Sequence, residues 1–303
     1  MQRVLVARAN AHAAFLSTSN AMSIALISSP FHHGRPPTWA SGYGQDRYGY
    51  FAEFSISTGP HYWQFINQRL RWIPEGSFTM GSPQEEEDRG DYEVPHEVRF
   101  AHGFWLADTA CTQEVWKAVT GKNPSNFKNE EDSMLELPVE TVSFDDVQAF
   151  LTQLNERVGK EATFLLPTEA QWEYACRAGT NTPFSFGNSI STDQANFNGV
   201  YPYAGSAEGE YRQRTVAVKS LPCNPWGLYQ MHGNVWEWCS DWYAAYSQDH
   251  SADPQGPDSG WNRVMRGGSW LDNARDVRSA RRGWDDPGDR VNTLGFRLLS
   301  SAS

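Results

Sequence analysis

Apolar residues keep a clear period in only a few stretches of this chain, and those stretches mark its regular elements. Phe144, Val147, Phe150, Leu151 and Leu154 recur at helical spacing, which predicts an amphipathic helix over 143–154. Ser143 followed by Asp146 resembles a capping box with Asp in place of Glu. Thr112 is a candidate N-cap for a helix over 112–119. Thr168, directly after Pro167, starts a third over 168–177, with Trp172 and Ala175-Cys176 toward the core. Partial alternation over 48–56 and 68–73, joined by a Gly/Pro-containing connection at 57–61, predicts a hairpin on the edge of the main domain. Its role is packing. Residues 76–81 and 100–105 read as further strands, as do Val264-Met265 and 294–299 near the end.

Two long stretches lack any period. Residues 271–293 carry Asp272, Asn273, Asp276, Gly283, Asp285, Asp286, Pro287, Gly288, Asp289 and Asn292, all turn formers or strand breakers. No regular element is expected there. A polar, unpatterned segment held between two strands is free to serve as a binding surface. Residues 179–216 are similarly irregular, with repeated Asn, Gly and Tyr. Long loops of this kind are uncommon without a reason, and a hard cation ligated by carbonyl and Asn/Asp oxygens is one. Glu169 and Glu173 stand one helical turn apart. The expected arrangement leaves one exposed and pairs the other with Arg177. The acidic run at 84–88 reads as a solvated face.

Composition narrows the function. The chain has 303 residues and a net charge of −11, which disfavours a nucleic-acid partner. Thirteen Trp, 12 Tyr and 16 Phe beside 25 Gly and 17 Pro fit a loop-rich fold pinned by aromatic anchors. No apolar run is long enough to span a bilayer. Cys111, Cys176, Cys223 and Cys239 form no CxxC pair and read as reduced, mostly buried residues. Residues 1–38 make a poor secretory signal, because Arg8, Asn10 and His12 interrupt the apolar stretch. They are expected to form a flexible segment containing a His32-His33 linker, with Met22 an alternative start. A cytoplasmic location follows, with the cell surface as the alternative. Residues 39–65 form the hairpin extension and 66–303 the main domain, expected as a monomer.

Several motifs occur in a recognisable order: GSFTMGSP at 76–83, PHEV at 95–98, LPTEAQWEYACRAG at 166–179, NPWGLYQMHGNVWEW at 224–238, RGGSW at 266–270 and GFRLL at 295–299. Together they resemble the formylglycine-generating-enzyme (sulfatase-modifying factor) family, a variant of the C-type lectin fold. The resemblance implies an α+β, loop-rich architecture with small antiparallel sheets and a few helices. It also implies two calcium sites. One maps onto Gln230, Gly233, Val235 and Glu237, with Gly233 and Val235 acting through backbone oxygens and Glu237 as the charged ligand. Gln230 replaces the family's usual Asn or Asp. The other maps onto Asn196, Phe197 and Tyr211, but Gly209 stands where an Asp is expected, so one structural calcium is the expectation. Trp236, Trp238 and Trp242 are assigned to the core around Glu237.

The family's oxidase chemistry uses two thiolates on copper just after the GGS-aromatic turn. The corresponding positions are Asp272 and Val277, and no cysteine follows Cys239. Neither copper binding nor the oxidase reaction is therefore expected. The related iron-dependent sulfoxide synthases need a further helical domain and a histidine triad that this chain lacks. Ser269 and His232 form no evident catalytic pair. The same frame resembles the variable proteins of diversity-generating retroelements, in which adenine replacement diversifies a C-terminal ligand site. Leu271, Asp272, Asn273, Asp276, Val277, Arg281, Gly283, Asp285, Asp286, Asp289, Val291, Asn292 and Thr293 are all reachable from an AAC codon by changing adenines, and Trp284 from AGG. Ala274, Arg275, Arg278, Ser279, Ala280, Arg282, Pro287 and Arg290 would be the fixed frame. The expected function is display of a variable site for a protein or small-molecule ligand, Trp284 being its rigid anchor and Arg281 a planar donor. A formylglycine-generating-type oxidase, or another family enzyme with a divergent active site, is the alternative.

Overall fold

The computed structural model describes residues 37–57, 65–128, 136–158, 163–246 and 251–301. Expectations for residues 1–36, for most of the 57–61 connection and for the histidine pair lie outside them. The chain opens with β1 (Gly42–Asp46), β2 (Gly49–Ser57), β3 (Phe65–Ile73), β4 (Gly76–Met80), β5 (His96–Phe100) and β6 (Phe104–Ala107). Helices α1 (Gln113–Thr120) and α2 (Phe144–Val158) follow, then β7 (Phe164–Leu165) and α3 (Glu169–Arg177). The remainder holds β8 (Trp236–Trp242), β9 (Ser251–Ala252), β10 (Arg263–Arg266), β11 (Arg282–Asp285), β12 (Leu294–Gly295) and β13 (Leu299–Ser301). Between α3 and β8 there is no named element among the described residues. The described residues form an α+β architecture of three small sheets.

The largest sheet has the order β1-β2-β3-β6-β13-β7, the second β11-β10-β8-β12 and the third β4-β5-β9. β2 and β3 pair from Phe51↔Arg71 to Ser57↔Phe65, and β3 continues the sheet onto β6 through Leu70↔Ala107. The first hairpin is thus continuous with the main sheet. Helices α1 and α2 cover that sheet, with Trp116 stacked on Phe150 at 4.9 Å and Phe296 edge-on to both rings. α3 anchors a second core of Trp172, Phe100, Leu228 and Val264. A third cluster joins Phe184, Ile190, Phe197 and Tyr203 to Ala274 and Val277. No helix of the described residues is long and apolar enough to cross a membrane.

All three helices begin where side-chain caps place them. Thr112 Oγ1 accepts from Val115 N at 3.2 Å. Ser143 and Asp146 exchange backbone-to-side-chain bonds, each of 3.1 Å. Thr168 and Gln171 do the same at 3.1 and 2.9 Å, a box the sequence reading missed at Gln171. Each bond satisfies an otherwise orphaned first-turn N–H.

Three expectations about strands differ. Residues 100–105 split into the end of β5 and the start of β6, because the chain turns at Gly103. A Cβ there would stand 2.3 Å from the Trp72 ring. Residues 294–299 split between two sheets: β12 runs parallel to β8, whereas β13 lies between β6 and β7. Between them Phe296 and Leu298 offer their carbonyls to Cys111 and Ala107. The segment expected to be wholly irregular contains β11, paired to β10 from Arg263↔Asp285 to Arg266↔Arg282, and a 3₁₀ turn, Ala274–Val277. Gly283 and Asp285 read as breakers in isolation. Here Gly283 is required by packing, since a Cβ would meet the Met265 side chain at 2.9 Å and the Trp236 ring at 3.0 Å.

Candidate functional site

The C-terminal segment leaves β10 through Gly267 and Gly268, both at positive φ (100° and 72°). At Gly268 a Cβ would stand 2.6 Å from Val277 Cγ1, so the turn closes directly on the 3₁₀ turn. Asp272 then ties the turn shut. Its Oδ2 accepts from Ser269 N at 3.0 Å, from Ser269 Oγ and from Trp236 Nε1 at 2.8 Å. Burial pushes its carboxyl up.

Beneath the segment runs a set of buried ion pairs. Arg278 is fully buried and reaches Glu86 and both oxygens of Glu93. Arg282 grips Glu169 in a two-point contact of 2.6 and 2.8 Å. Arg266 joins Glu169 at 2.8 Å to Glu173 at 2.5 Å, and Glu173 also receives Arg177. Burial alone would raise Glu169 and Glu93, but the guanidiniums outweigh it and both carboxyls lie below their usual range. Both Glu169 and Glu173 are buried, contrary to the expectation that one is exposed. The acidic run is likewise not simply solvated, because Glu86 turns inward to Arg278.

On the outside the segment presents Leu271, Trp284, Val291, Asp286 and Asp289. Trp284 is 44% exposed and packs on Tyr243 at 4.4 Å and edge-on to Tyr92 at 6.3 Å. Arg281 bonds the Tyr92 hydroxyl and pairs with Asp276 at 3.2 Å. Arg281, Trp284, Tyr92 and Tyr243 therefore form one patch, whose two tyrosines carried no signal beyond general aromatic richness. Asp285 is raised to about 6, first by burial and then by a hydrogen bond with Asp289. Asn273, Asn292 and Thr293 are half-buried. Asn292 and Thr293 accept from Trp270 Nε1 and Trp236 N through their backbone oxygens.

Three positions expected on display are not. Val277 is fully buried in the third cluster, Gly283 packs under Trp236, and Asp272 is spent on the turn. In the opposite sense Arg275 and Arg290, expected as frame, are exposed. Arg290 clamps the loop to the start of α2 through Asp146 at 2.6 and 2.8 Å.

The calcium residues divide differently from expectation. Glu237, expected as the charged ligand, is held here as a core anchor. Arg297 takes both its oxygens at 2.6 and 2.8 Å, and Trp172 Nε1 adds 2.7 Å. A cation there would meet a guanidinium already in place, so this set does not fit. Gln230 is also spent, donating to Ala217 O and accepting from Asn234 Nδ2. Gly233 and Val235 are bonded to each other along the turn, Val235 N to Gly233 O at 3.0 Å. The Asn196 set fits better. Asn196 Nδ2 donates to Arg214 O and Asn234 Oδ1, which fixes the amide orientation and leaves its buried Oδ1 without a donor. Phe197 adjoins it in the third cluster, and Tyr211 stacks on Trp270 at 6.4 Å.

His232 and Cys176 are close but chemically quiet. His232 Nδ1 donates to Val277 O at 2.7 Å and Nε2 faces Ser185 Oγ at 2.9 Å. Burial holds the ring at about 4 and pushes the Cys176 thiol up to about 12. The imidazole and thiol therefore stay neutral near pH 7. All four cysteines are free, three of them buried.

Comparison with known proteins matches residues 64–302 to the sulfatase-modifying factor enzyme 1-like domain. The chain is 35% identical over 197 residues to the mouse formylglycine-generating enzyme, covering 61% of this chain and 50% of that protein. It is 33% identical over 175 residues to the bovine inactive C-alpha-formylglycine-generating enzyme 2, covering 55% and 52%. It thus spans about half the length of these two relatives. Among solved structures, Treponema denticola variable protein 1 superposes with a TM-score of 0.69 at 27% identity, covering 82% of this chain and 99% of that one.

Proposed function

The chain belongs to the sulfatase-modifying factor enzyme 1-like family, and from that premise we propose that it is a binding protein rather than an oxidase, displaying a variable ligand site on its C-terminal segment. The observation that carries this reading is the separation of the segment into two layers. The inner layer, Arg278, Arg282, Ala274, Val277 and Ala280, is buried and holds the backbone by ion pairs and packing. The outer layer, Leu271, Trp284, Asp286, Asp289 and Val291, is exposed and can change identity without disturbing what lies beneath. Treponema denticola variable protein 1, at 27% identity, supports the reading by likeness. Against the oxidase stand Asp272 and Val277 at the thiolate positions, neither able to hold Cu(I) as a soft ligand.

The ligand, a protein or a small molecule, meets the Trp284–Tyr92–Tyr243 patch with Arg281 at its edge. Such a patch combines rigid aromatic area with a planar donor, as binding surfaces do. Monomeric state and cytoplasmic residence belong to the same proposal. The experiment that tests diversification is a search of the neighbouring DNA. A near-copy of the sequence encoding 266–299, with adenines wherever the two differ and a reverse transcriptase gene beside it, is the expected finding. A neighbourhood holding neither would reduce the protein to a fixed binding domain.

We also propose one structural calcium, at the Asn196 set rather than at Glu237. It would be held by the orphaned Asn196 Oδ1, with Phe197 and Tyr211 as the further ligands that the family resemblance implies. With no carboxylate in the set, affinity should be low, on the order of 0.1–1 mM. Millimolar calcium should raise the melting temperature and Asn196→Ala should abolish the rise. An equal rise in that variant, or none in the parent protein, rules the site out.

A further inference from the structure

Beside the display patch, a cavity of about 360 Å³ opens between β5, the start of α3, the end of β8 and the loop at 254–257. Its walls are largely apolar, with Met80, Val98, Ala170 and Pro257 among them. That size sits at the small end of ligand pockets, about 300–1,000 Å³. One side of the wall is charged. Asp241, only 6% exposed, is among the lining residues.

The two oxygens of Asp241 are unequal. Oδ2 accepts from Glu169 N at 2.8 Å and from Ser240 Oγ at 3.2 Å, capping α3. Oδ1 lies against Gly256, which adopts φ +70°, and a Cβ there would stand 2.7 Å away. The glycine keeps that oxygen clear of a side chain. Nor has Asp241 an ion-pair partner among the described residues, because the nearby cations are committed elsewhere. Arg282 and Arg266 are held by Glu169, and Arg263 donates to Ser240 O and lies over the Trp242 ring. The cavity wall therefore holds a buried carboxylate with one oxygen free of protein donors and no direct ion pair among the described residues.

We propose that this cavity is a binding site for a small organic cation, an ammonium group on a short aliphatic chain, with Asp241 accepting its N–H bonds. The apolar walls take the chain, and the ammonium gives Asp241 the direct ion-pair partner it lacks. A neutral donor would leave the desolvated carboxylate without one. Burial first, and the charge of Glu169 second, hold Asp241 up at about 7. The other ionisable groups facing the cavity are His96 on β5, Tyr246 after β8 and Arg282 on β11, with Arg266 and Arg263 behind on β10. Of these His96 is half-buried with Nδ1 beside Val94 O at 3.0 Å. Above pH 7 Asp241 is the carboxylate that binds the cation. Below it the proton competes.

Titration calorimetry with n-butylammonium chloride, against 1-butanol as neutral isostere, tests the site in the full chain. Butylammonium should bind at pH 8 at least tenfold more tightly than butanol, and roughly tenfold more weakly at pH 6 than at pH 8, following the Asp241 proton. Asp241→Asn should abolish the preference for the cation, and Trp284→Ala on the display patch should leave it intact. Equal binding of the two probes by the parent protein, or binding of neither, overturns the proposal without any variant. So does a preference that survives in Asp241→Asn.

Discussion

At the scale of single residues, His232 shows how burial replaces reactivity with a dependence on pH. Its ring is sealed between Ser185, Cys176 and the Val277 carbonyl. Desolvation first holds its pKa at about 4, against an ordinary 6.5. The unfolded chain therefore binds a proton between pH 6.5 and 4 that the folded protein does not. Stability from this group is complete above pH 6.5 and is lost as pH falls toward 4, amounting to about 3 kcal/mol. Asp241, raised to about 7, runs in the opposite direction over much of the same range. The measurement is thus a difference between proteins. Chemical denaturation of the parent and of His232→Asn should give a stability gap that narrows by about 3 kcal/mol from pH 7 to pH 4. Parallel profiles would mean that His232 is protonated in the folded state.

At the scale of elements, the same segment should give opposite answers on its two sides. Leu271→Ala, Trp284→Ala and Asp286→Ala touch exposed positions and should each change stability by under about 1 kcal/mol. Arg278→Met strands Glu86 and Glu93 without a cation and should cost about 3–5 kcal/mol. Phe296→Ala opens a hole in the core between α1 and α2 and should cost about the same. Melting curves that rank both sets alike would contradict the two-layer arrangement. Local signals made the helices legible. The α2 stripe and its Ser143–Asp146 cap lie within one turn of each other in the chain. β11 was not legible, because its pairing depends on β10 and on Gly283 fitting beneath Trp236, which no local pattern reports.

At the scale of the whole molecule, the motif order across 76–299 was enough to read the α+β plan, and the family match over 64–302 agrees with it. What the sequence hid was long-range pairing. Arg278 meets Glu86 across 192 positions and Arg266 meets Glu169 across 97. Of the frame arginines, Arg278 and Arg282 serve distant glutamates. Glu237 likewise has a partner, Arg297, 60 positions away. Spacing cannot distinguish a carboxylate that awaits a cation from one that already has a guanidinium.

The position of β13 bears on how such a protein is made. Leu299–Ser301 slots between β6 and β7, inside the largest sheet rather than on its rim. On the ribosome that sheet stays split until the whole preceding segment has been translated in the correct frame. A premature stop or a frameshift within 271–293 deletes the strand and exposes the facing edges of β6 and β7, as well as the cavity left by Phe296. Changes of side chain on the outer layer leave the strand in place. The fold thus acts as a proofreader of the segment it carries, passing altered letters and discarding broken reading frames.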